Sequence, residues 1–506
     1  MSYHINLIEF FEENYSKYPS KIAVKDNGKE INFEDLHSKA QSLAAYLIKT
    51  LNVKNEVIAV YLPKSIDSVV ADLAIMYSGN AYMNLDVSNP HPRIEAICTQ
   101  VKPVAVITLE KFKFETRSPI NFVTCFENTT LPEKSEYSID VLSDLIDTDP
   151  SCVINTSGST GTPKAVVLNH RSFIDFIAAV KHEGYINENE VIGSLSPSVF
   201  DIYSFELCML MTWGSTICVI PEMFAAFPAK LLELLEKEQV TYLFWVPTIM
   251  VNIANMELLD KFKLDSLHMI WFAGEVFPTA KFNYWKKTLP QCRFVNFYGP
   301  IEITLDCLFH EVKSCIEDNS PIPIGKPFRN TSILVLDEND KRITQVGHEG
   351  ELCIRGSSLA MGYYRNPEKT SAAFVQNPLN SNYPEIIYRT GDIVSLDENG
   401  DYLFRGRKDT LIKRMGYRIE LAEIEHVIVD KLGVVNNCCA LYKADTKDIV
   451  LVYESVEELP SRDLQRQIMS LLPKYMVPTK YFYSKQMPRN LNGKIDRNML
   501  KTQFIG

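Results

Sequence analysis

The 506-residue chain contains no apolar run long enough to cross a bilayer, which removes a membrane-spanning helix from the reading. Its start, MSYHINLIEFFEENYSKYPS, interleaves acidic with apolar side chains and lacks a basic flank ahead of an apolar block, so no secretory leader is expected. An excess of positive charge is missing as well. Lys and Arg number 52 against 63 Asp and Glu, and the formal charge of -11 disfavours non-specific attachment to nucleic acid or to an anionic membrane. Any phosphate must then be held by local groups. The 11 cysteines are an odd number without metal-ligand spacing, and the adjacent Cys438 and Cys439 fall in VVNNCCALY, which reads as a buried strand. A reduced, cytoplasmic protein without a zinc site is expected. Internal repeats and low-complexity tracts are absent too.

What is present is concentrated first in INTSGSTGTPKAVVLNH, Ile154 to His170. Thr156, Ser157, Ser159 and Thr160 alternate with Gly158 and Gly161 ahead of Lys164, a loop whose amides, hydroxyls and one cation can all face a polyphosphate. It is not the usual phosphate loop, because Thr162 and Pro163 separate Gly161 from Lys164 and Ala165 stands where a magnesium-binding hydroxyl is needed. Taken alone, the segment also fits an ordinary flexible turn.

A chain of this length exceeds one hydrophobic core, so two or more domains are expected. Helical patterns at Phe33 to Leu51 and Ile66 to Ser78 alternate with apolar runs such as VIAVYL and PVAVITL, the rhythm of an α/β core with a largely parallel sheet. From Thr331 to Arg355 the pattern turns to strands with tight turns, which predicts an appended antiparallel, β-barrel-like unit. FRGRKDTLIKRMGYRIE, Phe404 to Glu420, places basic residues and glycines before the helical LAEIEHVIVDKL. It fits either a solvated surface loop or a mobile joint. The expected division is 1–408, binding nucleotide and substrate, and 409–506, a small mobile α+β domain with helices near Leu421 to Lys431 and Ser461 to Leu472 and strands near Cys438 and Ile449.

TSGSTGTPK, FAGEVFP, NFYGPIE, GELCIRGSSLAMGYY, YRTGDIV, GRKDTLIKRMGYRIELAEIE and NGKIDR follow one another in the order and spacing of a known family. From about Phe10 to about Leu500 the chain resembles an amino-acid adenylation domain of the nonribosomal peptide synthetase type, within the acyl-CoA synthetase, luciferase and adenylation superfamily. The resemblance implies ATP and Mg2+ as cofactors and an AMP-forming ligase that makes an acyl adenylate and passes the acyl group to a thiol. In-line attack on an α-phosphate adds charge to an anionic centre, so cations rather than a triad are expected to carry the chemistry. By motif position Lys494 resembles the family's catalytic lysine and Glu302 its magnesium ligand. Tyr298 corresponds to the adenine platform, Asp392 to the ribose acceptor with Arg407 supporting it, and Asp409 to the hinge. The segment Gly416 to Arg418 would face the incoming pantetheine, and Lys413 is a further phosphate candidate. Ile301 departs from the family's Thr, whose hydroxyl contacts the α-phosphate. That loss costs on the order of 1 kcal/mol at a charged acceptor unless another donor compensates.

Asp201 in SVFDIYSFEL lies where amino-acid-activating relatives pair an aspartate with the substrate ammonium, and it also fits a helix N-cap. The same carry-over makes Ile202, Phe205, Phe244, Trp271, Ala273, Phe297, Leu305 and Asp306 the pocket walls, although aromatics at such spacings also fit plain core. Asp306 would favour a hydroxyl or amine on the substrate. FAGEVFP also resembles D-alanyl carrier protein ligases, which points to a small amino acid. About nine residues follow NGKIDR and no carrier segment is seen, so a free-standing enzyme acting on a phosphopantetheinyl carrier protein in trans is expected. The competing readings are a CoA ligase of the same superfamily and a non-catalytic adenylate-binding protein.

Overall fold

A computed structural model of the chain describes residues 4–114, 121–124, 126, 143–156, 163–318, 320–408, 411–489 and 495–505. Ser157, Gly158, Ser159, Thr160, Gly161, Asp409 and Lys494 lie outside the described residues. The chain falls into two compact units. One comprises Met1–Val87, Pro103–Ile154 and Ala165–Lys408; the other comprises Ser88–Lys102, Asn155–Lys164 and Asp409–Gly506.

Two large sheets dominate the first unit, apart from the strand ends that belong to the second. In the nine-stranded sheet the strands run in the order Lys326–Pro327, Leu308–Glu311, Arg293–Tyr298, Met269–Phe272, Tyr242–Trp245, Val191–Ser194, Thr216–Val219, Ile22–Asp26 and Lys29–Asn32. Its centre is parallel and its edges antiparallel. The seven-stranded sheet runs Gly362–Tyr363, Lys164–Asn169, Pro150–Thr156, Ala81–Asn84, Val57–Tyr61, Ala105–Thr108 and Asn121–Val123. The helices Ile66–Tyr77 and Asp201–Trp213 are buried on nearly every face, as expected of helices enclosed between layers. One apolar core joins Val24 and Phe244 of the first sheet, Ile58 and Val60 of the second, and Val69 and Leu207 of these helices. Pro228–Lys237, Pro247–Asn255 and Thr279–Thr288 enclose a second core, with Trp245, Phe272 and Trp285.

The helix Phe33–Leu51 is delimited by its sequence. Asn32 caps the first turn by accepting from Asp35 N, Phe33, Leu36, Ala40, Leu43 and Leu47 form one buried stripe, and Asn52 stops it in left-handed backbone at φ 50°. Beyond Thr331 the antiparallel unit is a five-stranded sheet of Thr331–Leu336, Glu349–Gly356, Ile386–Leu396, Phe374–Gln376 and Tyr402–Arg407.

In the second unit a three-stranded sheet, Asn437–Lys443, Asp448–Glu454 and Lys480–Ser484, carries the buried Cys438 and Cys439. Outside Asp409 and Thr410, which are not among the described residues, the basic segment is strand and hairpin and not a surface loop. Tyr402–Arg407 ends one strand, and Leu411–Arg414 pairs with Tyr417–Glu420 across a turn at Met415 and Gly416. Alternate residues of this hairpin reach apolar neighbours, Leu411 and Ile419 being buried, which is why charge alone misread it.

A buried polar cluster lies between the enclosed helices. The Asp72 carboxylate accepts from Tyr203 Oη at 2.7 Å and Asn84 Nδ2 at 3.2 Å, and burial pushes its pKa to about 7. The folded carboxyl thus keeps its proton up to about pH 7, whereas an unfolded aspartate loses it near pH 4, so stability falls as pH rises through that window. Asp72→Asn keeps both hydrogen bonds on a neutral group. We predict that it raises the thermal midpoint by about 2 °C or more at pH 8 and gives no gain at pH 4. Melting curves at the two pH values check this.

Candidate adenylate-forming site

Five of the residues singled out by sequence come from one connection. The strand Arg293–Tyr298 supplies Phe297 and Tyr298, a 3-10 turn Ile301–Ile303 supplies Glu302, and Leu305 and Asp306 precede the returning strand Leu308–Glu311. The connection is tight. Thr304 and Leu305 both adopt left-handed backbone, at φ 58° and 71°, and Cys307 N donates to Tyr298 O at 2.8 Å. A Cβ on Gly299 would lie 2.3 Å from Leu305 O and 2.4 Å from Asp306 Cα, so only glycine lets the two backbones pass this closely.

Tyr298 leads across to the antiparallel sheet. Its hydroxyl donates to Asp392 Oδ2, and Arg407 Nη1 binds Asp392 Oδ1, so both carboxylate oxygens are engaged. Asp392 is 3% exposed, which makes the guanidinium essential as its counter-charge. Burial, with Asp392 beside it, pushes the Tyr298 hydroxyl well above its usual pKa, so it remains a donor. Asp392 and Arg407 face each other across adjacent strands, which brings together residues fifteen apart in sequence.

Glu302 is fully enclosed, and its Oε1 accepts from Tyr363 Oη at 2.8 Å. Tyr363 lies in the MGYY motif but was not assigned a role by sequence reasoning; only its position in that motif hinted at one. Ile301 is 7% exposed and packs in the main core. Nearby, the Thr304 hydroxyl is buried without a hydrogen-bond partner among the described residues.

Asp201 occupies the first turn of its helix, not the cap. The N-cap is Phe200, in extended backbone without a side-chain cap bond, while Asp201 Oδ1 accepts from Ile202 N at 2.9 Å. Phe205, one turn on, shares its face. Phe205 stacks on Trp271 at 5.4 Å between centroids, Trp271 meets Phe297 at 4.2 Å, and Phe244 contacts both Phe205 and Trp271. Ile202, Ala273, Leu305 and Asp306 are buried with them. The rings therefore fill one another's space. Trp271 Nε1, on a wall named from the sequence, and Tyr242 Oη, which the sequence did not mark, are enclosed there without hydrogen-bond partners among the described residues, and these ring centroids are 5.2 Å apart. The neighbours of Tyr242 are non-local, so no spacing rule marks it.

In the second unit Thr156 Oγ1 reaches Lys164 O at 3.5 Å, and Lys164 Nζ lies 3.8 Å from Glu420 Oε1. Arg93 and Glu423 form a buried ion pair in the same unit. Gly416 sits at the hairpin turn, whereas Lys413, Tyr417 and Arg418 lie on its strands.

A family model for AMP-binding enzymes matches residues 11–364. The chain belongs to the AMP-binding enzyme family. Gramicidin S synthase 1 from Brevibacillus brevis is 29% identical over 497 residues, covering 97% of this chain but only 44% of that protein. The Vibrio cholerae adenylation domain AlmE, solved with glycyl-adenosine-5'-phosphate, superposes with a TM-score of 0.85 at 20% identity over 99% of this chain and 98% of AlmE. PA1221, a nonribosomal peptide synthetase protein containing adenylation and PCP domains, was solved in holo form with a vinylsulfonamide inhibitor. It superposes with a TM-score of 0.83 at 22% identity, over 99% of this chain and 84% of that one. As a member of this family the chain is an adenylating enzyme that uses ATP with Mg2+. A single carboxylate such as Glu302 suits a hard ion whose remaining ligands are phosphate oxygens and water. Among the described residues no helix is long and apolar enough to cross a membrane.

Gly299→Ala should force the 304–306 turn aside. The expected result is a loss of about 2 kcal/mol or more in unfolding free energy by denaturant titration, together with weakened ATP binding by calorimetry.

Proposed function

We propose that the chain activates an amino acid as aminoacyl-AMP with release of pyrophosphate and transfers it to the phosphopantetheine thiol of a separate carrier protein. The observation that carries this reading is Asp201 in the first turn of its helix, one turn before Phe205, whose ring stacks on Trp271. A carboxylate at the mouth of an apolar, ring-lined pocket is stabilised by a cation, and the ammonium of an amino acid is that cation. At the other end each Asp392 oxygen takes one bond, from Tyr298 or Arg407, and keeps a further lone pair suited to a ribose hydroxyl, with Arg407 holding its charge.

Rings packed this closely on one another favour a small side chain such as that of glycine, alanine or serine, and Asp306 favours a hydroxyl or amine on the substrate side. AlmE's glycyl adenylate agrees with a small acyl group. Bound Mg2+ supplies charge neutralisation at the phosphates. Lys494 approaches the carboxylate and α-phosphate oxygens and offsets the charge that develops as the carboxylate attacks. Glu302 is oriented by Tyr363 for its part in the phosphate site. The divisions 1–408 and 409–506 correspond to the nucleotide and amino-acid core and to a mobile domain that brings Lys494, rotating at Asp409 for the thiol step. The PCP domain within PA1221 supports a carrier protein as the partner.

The test is amino-acid-dependent exchange of labelled pyrophosphate into ATP. We expect a small amino acid to support exchange and Lys494→Ala to reduce it by about a thousandfold or more while ATP binding is retained. Near-normal exchange in the variant would remove Lys494 from the chemistry.

A further inference from the structure

The helix that begins at Asp201 has no side-chain cap hydrogen bond at its N-cap position, Phe200. Its start is held instead by residues more than a hundred positions earlier. Lys64 Nζ donates to Ser194 O at 2.7 Å and to Ser196 O at 2.7 Å, and lies 3.3 Å from Ser194 Oγ. Ser194 Oγ in turn donates to Glu206 Oε2 on the second turn of the helix. Ser194 ends a strand of the nine-stranded sheet, where its carbonyl also accepts from Ile220 N at 2.9 Å. One ammonium therefore grips both the last strand residue and the first part of the segment 195–200 that leads to Asp201.

Ser194 and Glu206 are fully buried, and Ser196 is nearly so. Burial raises the Glu206 carboxyl to about 7 and lowers Lys64, each opposed by the other's charge. Two more polar ties hold the same helix turn from the segment after Lys64. Tyr203 Oη donates to Asp72 Oδ2 at 2.7 Å, and Tyr82 Oη donates to Ser204 Oγ at 3.0 Å. Apolar residues at these positions would pack without the desolvation cost, so the polar ties add directional placement that packing alone does not provide. The helix faces between them, Ile202 and Phe205, point to the aromatic cluster.

We propose that Lys64 is a positioning residue for the amino-acid end of the site, clamping segment 195–200 so that Asp201 stands where the substrate ammonium binds. This rests on the reading of Asp201 as the ammonium anchor. Lys64 itself touches no substrate; it acts through the two serine carbonyls.

The experiment uses the full chain as Lys64→Met, Lys64→Arg, Asp201→Ala and the double variant Lys64→Met/Glu206→Gln. The double variant removes the paired buried charges together and keeps an acceptor for Ser194 Oγ, so it retains folding if the single variant does not. The probes are glycine, L-alanine, L-serine and D-alanine in pyrophosphate exchange, with ATP varied separately. The expected result is a rise of about tenfold or more in KM for the amino acid, with kcat and the KM for ATP changed by less than about threefold, and recovery in Lys64→Arg. Hydrogen exchange of a peptide spanning 195–205 should accelerate about tenfold while Phe33–Leu51 is unchanged. Unaltered exchange across 195–205, or equal changes in the two KM values, overturns the clamp. If Asp201→Ala leaves the amino-acid KM unchanged, the anchor reading fails; if Asp201→Ala raises it and the Lys64 variants do not, only the clamp fails.

Discussion

The buried carboxylate of Asp392 is the constraint on which the proposed nucleotide end of the site depends. Tyr298 reaches it from the end of a strand in the nine-stranded sheet and Arg407 from a neighbouring strand of the antiparallel sheet, so one charge joins two separate sheets. An aspartate enclosed to this degree persists only if both its oxygens are met and its charge is balanced. The geometry follows from that requirement. Tyr298 must stop where its hydroxyl meets Oδ2, and the connection after it must turn back at once, which demands Gly299 and the left-handed Thr304 and Leu305. The same turn delivers Glu302, Leu305 and Asp306, so the metal-binding candidate and two proposed pocket walls inherit their positions from the counter-charge of the proposed ribose acceptor.

The amino-acid end is organised differently. Its walls are aromatic rings that touch one another, with Trp271 at the centre between Phe205, Phe244 and Phe297. Stiff rings in mutual contact define a small space at little entropic cost. Its polar elements come from outside the pocket, through the buried ties of the helix that carries Asp201.

Much of this was legible in the sequence. The helix Phe33–Leu51 is bounded by two asparagines whose local chemistry sets both ends, and the motifs marked Tyr298, Glu302, Asp392 and Arg407 before any fold was known. What escaped was non-local. Glu302 meets Tyr363 from 61 positions away, and Lys64 meets Ser194 from 130. No spacing rule reports such pairs, because tertiary packing creates them. Local readings also failed by small shifts. Asp201 is one residue inside the helix it seemed to cap, and LAEIEHVIVDKL is not one regular helix but an α-helical turn, Leu421–His426, running into a π-helical one, Val427–Leu432. Propensity sets neither boundary to the residue.

The central claim is that one site binds an adenylate and an amino group together. It is tested most directly by calorimetric titration with a sulfamoyl analogue of glycyl- or alanyl-adenylate, beside the same analogue lacking its amino group. The account predicts that the complete analogue binds about a thousandfold or more tighter than AMP, with most of that gain lost in the deaminated compound. Equal affinity for the two analogues would contradict it.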